Sequence, residues 1–458
     1  MTLERTLAHW ASSAQIRSQR ASALAYDALV DVSCCIVAGS IEASTQAAIQ
    51  VARRFGVGTA LSMGSNLQLP APCAALIDGT AAHALDFDDN FGPAATHATA
   101  VLVPALAALA SETDSSVGDV IEAYVIGLEL QARIGRLVNP DHYEKGWHAT
   151  STVGAIGTAG ACARLLRLDP EQTLAAMSIA SSMAGGSKKQ FGSMMKPLHA
   201  GLAAKNAVLA ARMAEAGISG DPEPLGGQWG FAQLAGAGQP GEAAVAGALQ
   251  DLGTTLAIET DGLMAKRFPC CGAAHRTLDG LLQLRQQLQL RLEDLQRVEA
   301  FIPAFARENL RFDDPQDESQ ARFSLTYPAL RVLQTGGLSL YDMTLERILD
   351  PSLRPWLQRI FIHVKAGSVS EELSEKATPA ITRVVMNGGA VHEIGITAPK
   401  GSRQNPLSED ERYAKFRDCC RWAGREQDAD RLFEMARSLN AMARFQDFSR
   451  RLARMDSV

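Results

Sequence analysis

Three carboxylates and a histidine crowd one short stretch of the chain. Residues 83–104 read HALDFDDNFGPAATHATAVLVP, with Asp86, Asp88 and Asp89 within four positions and His97 after a segment containing Gly92 and Pro93. Ala-rich apolar stretches that read as helices lie on both sides. Carboxylates beside buried-looking sequence need partners, because burying an unpaired charge is costly. Water, cations or the machinery of an active site could serve. Taken alone, the stretch reads as a helix end followed by a solvated acidic loop, since acidic clusters are usually solvated.

Four other runs offer partners. Lys145-Gly146-Trp147-His148 precedes Ala149-Thr150-Ser151-Thr152-Val153-Gly154, hydroxyl residues that can cap a helix whose free N–H groups favour an anion. In Met195-Lys196-Pro197-Leu198-His199, Pro197 can open a helix and leave Lys196 at its N-terminus. That placement suits carboxylate binding and lowers a lysine pKa. Lys266 and His275 bracket a tight turn, RFPCCGAA, at a change in sequence character where a ligand cleft tends to form. Cys270 or Cys271 could be a reactive thiol, although buried structural cysteines are commoner. Tyr327, in RFSLTY, sits on an apolar helix, where a tyrosine is usually core. Each run also has a plain structural reading: a capping segment, a surface lysine, a linker, a core ring.

The elements that must position these residues are mostly helices. Helix-length Ala/Leu-rich segments predict helices over 23–38, 44–55, 72–85, 98–112, 117–137, 152–165, 170–184, 197–216 and 241–249. Asp169 before Pro170 has the form of an N-cap with proline at the first helical position. After Asp261 the character changes. Residues 297–303, 360–364, 380–386 and 391–396 read as strands, the last two joined by an Asn387-Gly388-Gly389-Ala390 hairpin signal. Residues 275–288 and 322–335 read as helices. The expected fold is mainly α: a helical domain from 1–261 and 402–458, with a smaller α+β domain from 262–401 inserted.

Bulk properties narrow the function. A chain of 458 residues with 47% hydrophobic and 21% charged residues has an ordinary globular composition and permits a large core. A net charge of −6 with no long basic run argues against nucleic acid and against an anionic membrane surface. The eight cysteines include three adjacent pairs, none with the spacing typical of zinc or iron–sulfur ligation, and read as reduced thiols in the cytoplasm. The N-terminus does not read as a signal peptide, and no apolar run reads as a membrane span of roughly 18 residues.

Together the runs resemble the MmgE/PrpD family, which includes 2-methylcitrate dehydratase, cis-aconitate decarboxylase and iminodisuccinate epimerase. The matching elements are LDFDD with its trailing histidine, GWHATSTVGAIG, KPLHAGLAAKNA with GGQWGF, KRFPCCGAAH, RFSLTY and NPLSEDERYAKF, in the family's order along nearly the whole chain. The resemblance implies a helical domain with a lid-like insert, a homodimer, and no metal or organic cofactor. It also implies that Asp86, Asn90, His97, His148, Lys196, Lys266 and Tyr327 line a cleft between the domains. Departures stand at Asn90, where the decarboxylase branch typically has Thr, at His97-Ala98, where it has His-Pro, and at Cys271, where some members have His.

These residues support acid–base chemistry on a small di- or tricarboxylate. His97 or His148 is the expected base, Asp86 an orienting carboxylate, and Tyr327 a proton donor. Lys196 binds a carboxylate in this reading, with Lys266, Asn90, Cys271, His199 and His275 as further substrate-binding residues. The expected activity is a lyase, by dehydration of a 2-methylcitrate-like substrate or decarboxylation of cis-aconitate. An epimerase is the second reading and a non-catalytic carboxylate binder the third.

Overall fold

The computed structural model describes residues 2–365 and 378–453. Alanine loses no side-chain entropy in a helix, and the Ala-rich first half is helical almost throughout. Its principal helices are α1 (Gln19–Gly39), α2 (Ala71–His83), α3 (Thr99–Thr113), α4 (Val117–Val138), α5 (Val153–Leu165), α6 (Pro170–Ser182) and α7 (Met195–Glu215). Their starts are chemically marked. Ser116 and Asp119 form a capping box on α4, and Asp169 and Gln172 form one on α6, with Pro170 at the first helical position as the sequence predicts.

Helix α2 is buried along nearly its whole length and α7 over more than half of its residues, and the two set the geometry of the site. They cross where Gly79 meets Gly201. A Cβ on Gly201 would lie 2.3 Å from the Leu76 carbonyl oxygen, and one on Gly79 would lie 2.9 Å from the Gly201 Cα. Only glycine permits that approach. The helices run in opposite directions past this contact, so the C-terminal end of α2, with His83, comes beside the N-terminal turn of α7, with Lys196.

After Asp261 come α8 (His275–Leu288), β1 (Leu295–Pro303), α9 (Thr326–Thr335), β2 (Ile360–Lys365), β3 (Ala380–Met386), β4 (Val391–Ile396) and α10 (Glu409–Trp422). The strands form one sheet in the order β2-β1-β3-β4, in which β1 runs parallel to β2 and antiparallel to β3, and β3–β4 is the expected hairpin. Buried apolar residues fall into two clusters. The larger draws on Leu3–Ile258 and on Phe416–Leu452, with Leu340 added; the smaller draws on Phe268–Val384, with Phe191 added.

Two sequence expectations change. The single helix expected over 322–335 is broken: a short helix ends at Arg322 and α9 begins at Thr326. The Ser324 hydroxyl accepts the Tyr327 N–H at 3.2 Å, a local bond that competes with helix continuation. Helix α1 is long and apolar enough by length and composition to cross a membrane, whereas no such run was expected. Here its buried residues belong to the larger core cluster, and its Asp31 pairs with Lys415 of α10.

Candidate active site

The acidic stretch leaves the end of α2 and turns sharply. Asp86 has φ +52°, a left-handed conformation rare for residues other than Gly, Asn and Asp. The turn delivers its carboxylate to two lysines. Lys196 Nζ donates to Asp86 Oδ1, and Lys266 Nζ lies 3.1 Å from Oδ2 while donating to the Asp86 carbonyl at 2.7 Å. All three residues are buried. Burial alone would push the Asp86 carboxyl up; Lys196 and Lys266, then His97 and His83, outweigh it and hold it well below the carboxylate range. Burial lowers Lys196, and Asp86 does not fully offset it. Lys266 is raised, because Asp86 and Asp88 outweigh its burial.

The three carboxylates take three roles. Asp86 carries the lysines. Asp88 carries histidines: His83 Nδ1 lies 2.9 Å from both its oxygens and His97 Nδ1 lies 3.3 Å from Oδ2. Asp89 carries neither. Burial pushes it up to about 8, and it accepts a hydrogen bond from the Thr99 hydroxyl.

Hydrogen-bond partners fix two imidazole tautomers. His97 Nδ1 lies 2.9 Å from the Asp89 carbonyl oxygen, which can only accept, so Nδ1 bears the proton. Its Nε2 is then a lone pair, 4.0 Å from Asp86 Oδ1. His83 donates from Nδ1 to the Asp88 carboxylate, and its Nε2 accepts from Lys196 Nζ at 2.9 Å. A chain Asp88–His83–Lys196 results. Burial lowers His83, drives His97 down to about 3, and takes His148 well below the usual imidazole value. These rings are neutral near pH 7.

A cavity of about 120 Å³ opens on this cluster, lined by Asp86, Asn90, His97, His148, Lys196 and Cys271 among others. Phe191 and Phe323 supply apolar wall, each with its ring centre just over 5 Å from Lys196 Nζ. Asn90 holds its place by a two-way backbone bridge to Met264, and its side chain fills the space a Cβ on Gly272 would need. Cys271 lines the wall as a thiol, raised first by burial and then by Asp86.

Other expected residues stand off the cavity. Lys266 and His199 are one contact behind it, on Asp86 and His148. His275 is wholly buried; its Nε2 meets the Cys270 carbonyl at 3.3 Å and its ring packs on Phe268, so it braces the turn instead of facing a substrate. Tyr327 lies in the smaller core cluster, and its hydroxyl donates to the Asp342 carbonyl. That bond occupies the proton expected to reach a substrate. The hydroxyl run 150–152 ties segments together instead of capping α5: Thr150 accepts the His97 N–H at 3.0 Å and Thr152 meets His142 Nε2 at 2.7 Å.

Sequence reasoning passed over His83, Tyr143 and Asn309. Tyr143 and Asn309 line the cavity and bond to each other, Asn309 Nδ2 donating to Tyr143 Oη at 2.9 Å. His83 had a usable signal, a histidine at a helix end five residues before an aspartate. His83, His97 and His148 bring ring nitrogens within 4.8 Å of one another, a spacing that could hold a cation. The Lys196 ammonium already occupies the His83 Nε2 lone pair, so positive charge at this point is supplied by the chain itself.

Models described as the MmgE/PrpD N-terminal domain and the MmgE/PrpD C-terminal domain match residues 5–254 and 268–441. A cis-aconitate decarboxylase from Homo sapiens is 28% identical over 362 residues, 77% of this chain and 73% of that protein. A cis-aconitate decarboxylase-like protein, oryM, from Aspergillus oryzae is 27% identical over 462 residues, 95% of this chain and 92% of its own. A cis-aconitate decarboxylase from Aspergillus terreus is 28% identical over 300 residues, 61% of this chain and 60% of its own. With both of its halves matched across most of the sequence, the chain belongs to the MmgE/PrpD family.

Proposed function

We propose that the protein is an acid–base lyase acting on a small di- or tricarboxylate, with decarboxylation of cis-aconitate as the leading reaction. One observation carries the reading: two buried lysines share the single carboxylate of Asp86 beside neutral imidazoles at a small cavity. Lys196 lines the cavity, so it can turn to a substrate carboxylate while Lys266 keeps the Asp86 charge paired. The names of the human and fungal relatives favour cis-aconitate.

The residues support the proton steps of such a reaction. In a decarboxylation, the C–C bond to the departing carboxylate breaks, carbon dioxide leaves, and the bonding pair stays on carbon until a proton joins it. Lys196 suits that donation, because its lowered pKa makes the ammonium a better acid than free lysine. The Asp88–His83 chain orients it. In a dehydration, the His97 Nε2 lone pair takes the proton next to a carboxylate and Lys196 protonates the departing hydroxyl. Preorganised cations beside the developing charge lower the barrier in either case. A second reading, epimerisation, draws on His97 and His148, which both line the cavity with ring centres 6.4 Å apart and could act as paired bases.

A mass-spectrometric screen in heavy water against cis-aconitate, 2-methylcitrate, citrate and iminodisuccinate tests this. Loss of carbon dioxide or water from one of them is the expected result. Deuterium uptake with an unchanged skeleton sinks the lyase in favour of the epimerase, and no change in any compound sinks both. On the active substrate, kcat/KM stays level as pH falls through about 6.5, the ordinary imidazole value, because His97 is held neutral down to about 3. A loss of activity centred near that ordinary value contradicts His97 as the base.

A further inference from the structure

His148 does not act on the cavity alone. Its Nδ1 lies 3.0 Å from Nδ1 of His199. Its Nε2 is buried without a hydrogen-bond partner among the described residues, and the ring lines the cavity. The two rings come from different elements, His148 from the turn before α5 and His199 from the start of α7. Phe191 packs edge-on against His148, with ring centres 5.0 Å apart. Two imidazole nitrogens at this distance hold one proton between them, since one must be N–H and the other a lone pair.

The charged surroundings of the pair are uneven. Lys196, His83 and His97 face His148 in addition to His199, with Lys196 the strongest; His83 and Lys196 face His199. Burial is the largest influence on both rings and lowers both. His148 is driven well below the imidazole value, whereas His199 is lowered to about 4. Added positive charge is therefore held better on His199.

We propose that His199 is the relay partner of His148: when His148 Nε2 takes a proton from a substrate carbon, its Nδ1–H passes to His199 Nδ1. The C–H electron pair stays on carbon. His148 ends neutral with its proton on Nε2, and the positive charge rests on His199. The same steps in reverse return the proton to carbon. His199 touches no substrate, so it is a positioning and proton-holding residue. The inference rests on the reading above in which His148 is one of two paired bases.

The test uses the full chain with nitrogen-15-labelled histidine, and the variants His199→Gln and His199→Ala. Gln can still meet His148 Nδ1 but cannot hold the extra proton; Ala can do neither. Nitrogen resonances, assigned through His148→Gln and His199→Gln, are expected to show one proton shared between the two Nδ1 atoms. That signal should vanish in both His199 variants, with the His148 shifts moving. Turnover of a carboxylate from which the wild type removes a carbon-bound proton should fall about 10²-fold in His199→Gln with KM little changed, and added imidazole should restore part of it in His199→Ala, where the truncated side chain leaves room for the ring. Unchanged His148 shifts in both variants, or His199→Gln with wild-type kcat, overturns the relay. If the wild type converts none of the compounds screened, the acid–base reading fails, and the resonances alone then decide whether the pair exists.

Discussion

Two buried lysine–aspartate contacts flank the same loop and behave differently. Lys415 of α10 lies 2.7 and 2.9 Å from the two oxygens of Asp31, donates to the Phe87 carbonyl at 2.7 Å, and sits 4.4 Å from the centre of the Phe87 ring. It has one carboxylate to itself, and although burial disfavours its charge, Asp31 and two cysteines raise it. Lys196 must share Asp86 with Lys266, and burial lowers it. The first pair lies away from the cavity and holds the loop; Lys196 and Asp86 line the cavity itself. Burial alone does not make a lysine reactive. What sets Lys196 apart is that its carboxylate is also held by a second lysine and that it lines a cavity.

Three substitutions probe that contrast. The largest effect belongs to Lys196→Met, which removes the cation at the cavity and the proposed proton donor together. Turnover should fall by about 10²–10⁴-fold while the protein keeps a cooperative thermal transition; near wild-type turnover would remove Lys196 from the mechanism. Lys415→Met should do the opposite. Breaking a buried pair costs about 3–5 kcal/mol, readable as a lower urea midpoint, with kcat per folded molecule close to wild type. If instead it abolishes turnover without loss of stability, the contrast collapses. The smallest effect is that of Gly201→Ala. Its methyl would meet the Leu76 carbonyl at 2.3 Å, an overpacking worth about 1–3 kcal/mol. Because the same contact sets His83 beside Lys196, stability and turnover should drop together, and a fall in one alone would uncouple the helix crossing from the site.

Much of the scaffold was legible because local chemistry wrote it. The Asp169–Pro170 start, the 387–390 hairpin and the Ala-rich helices rest on short-range preferences that tertiary packing did not override. The parallel pairing of β1 with β2 was not legible, because no local signal chooses a partner some 60 residues away. The cluster was half legible. Asp86, Lys196, Lys266, His97 and His148 were legible as titratable residues in short runs with turn or helix-start signals. His83 carried only the faint signal of a histidine at a helix end five residues before an aspartate, because it looks like core until Lys196 is brought to it by the contact of Gly79 with Gly201, 122 residues further on, at a distance no pattern encodes. Tyr327 misled for the converse reason: its phenol proton goes to a main-chain carbonyl that sequence spacing does not reveal.

The left-handed backbone of Asp86 limits how this pocket can be redesigned. Aspartate and asparagine tolerate that conformation better than other residues with side chains. Lengthening the acid to glutamate would therefore strain the turn at the same time as it moved the negative charge. A variant reshaped for a bulkier acid would do better to keep the aspartate and enlarge the wall that Cys271 and Phe305 supply from other segments of the chain. In engineering terms, the loop is the fixed jaw of a vice and that wall is the adjustable one.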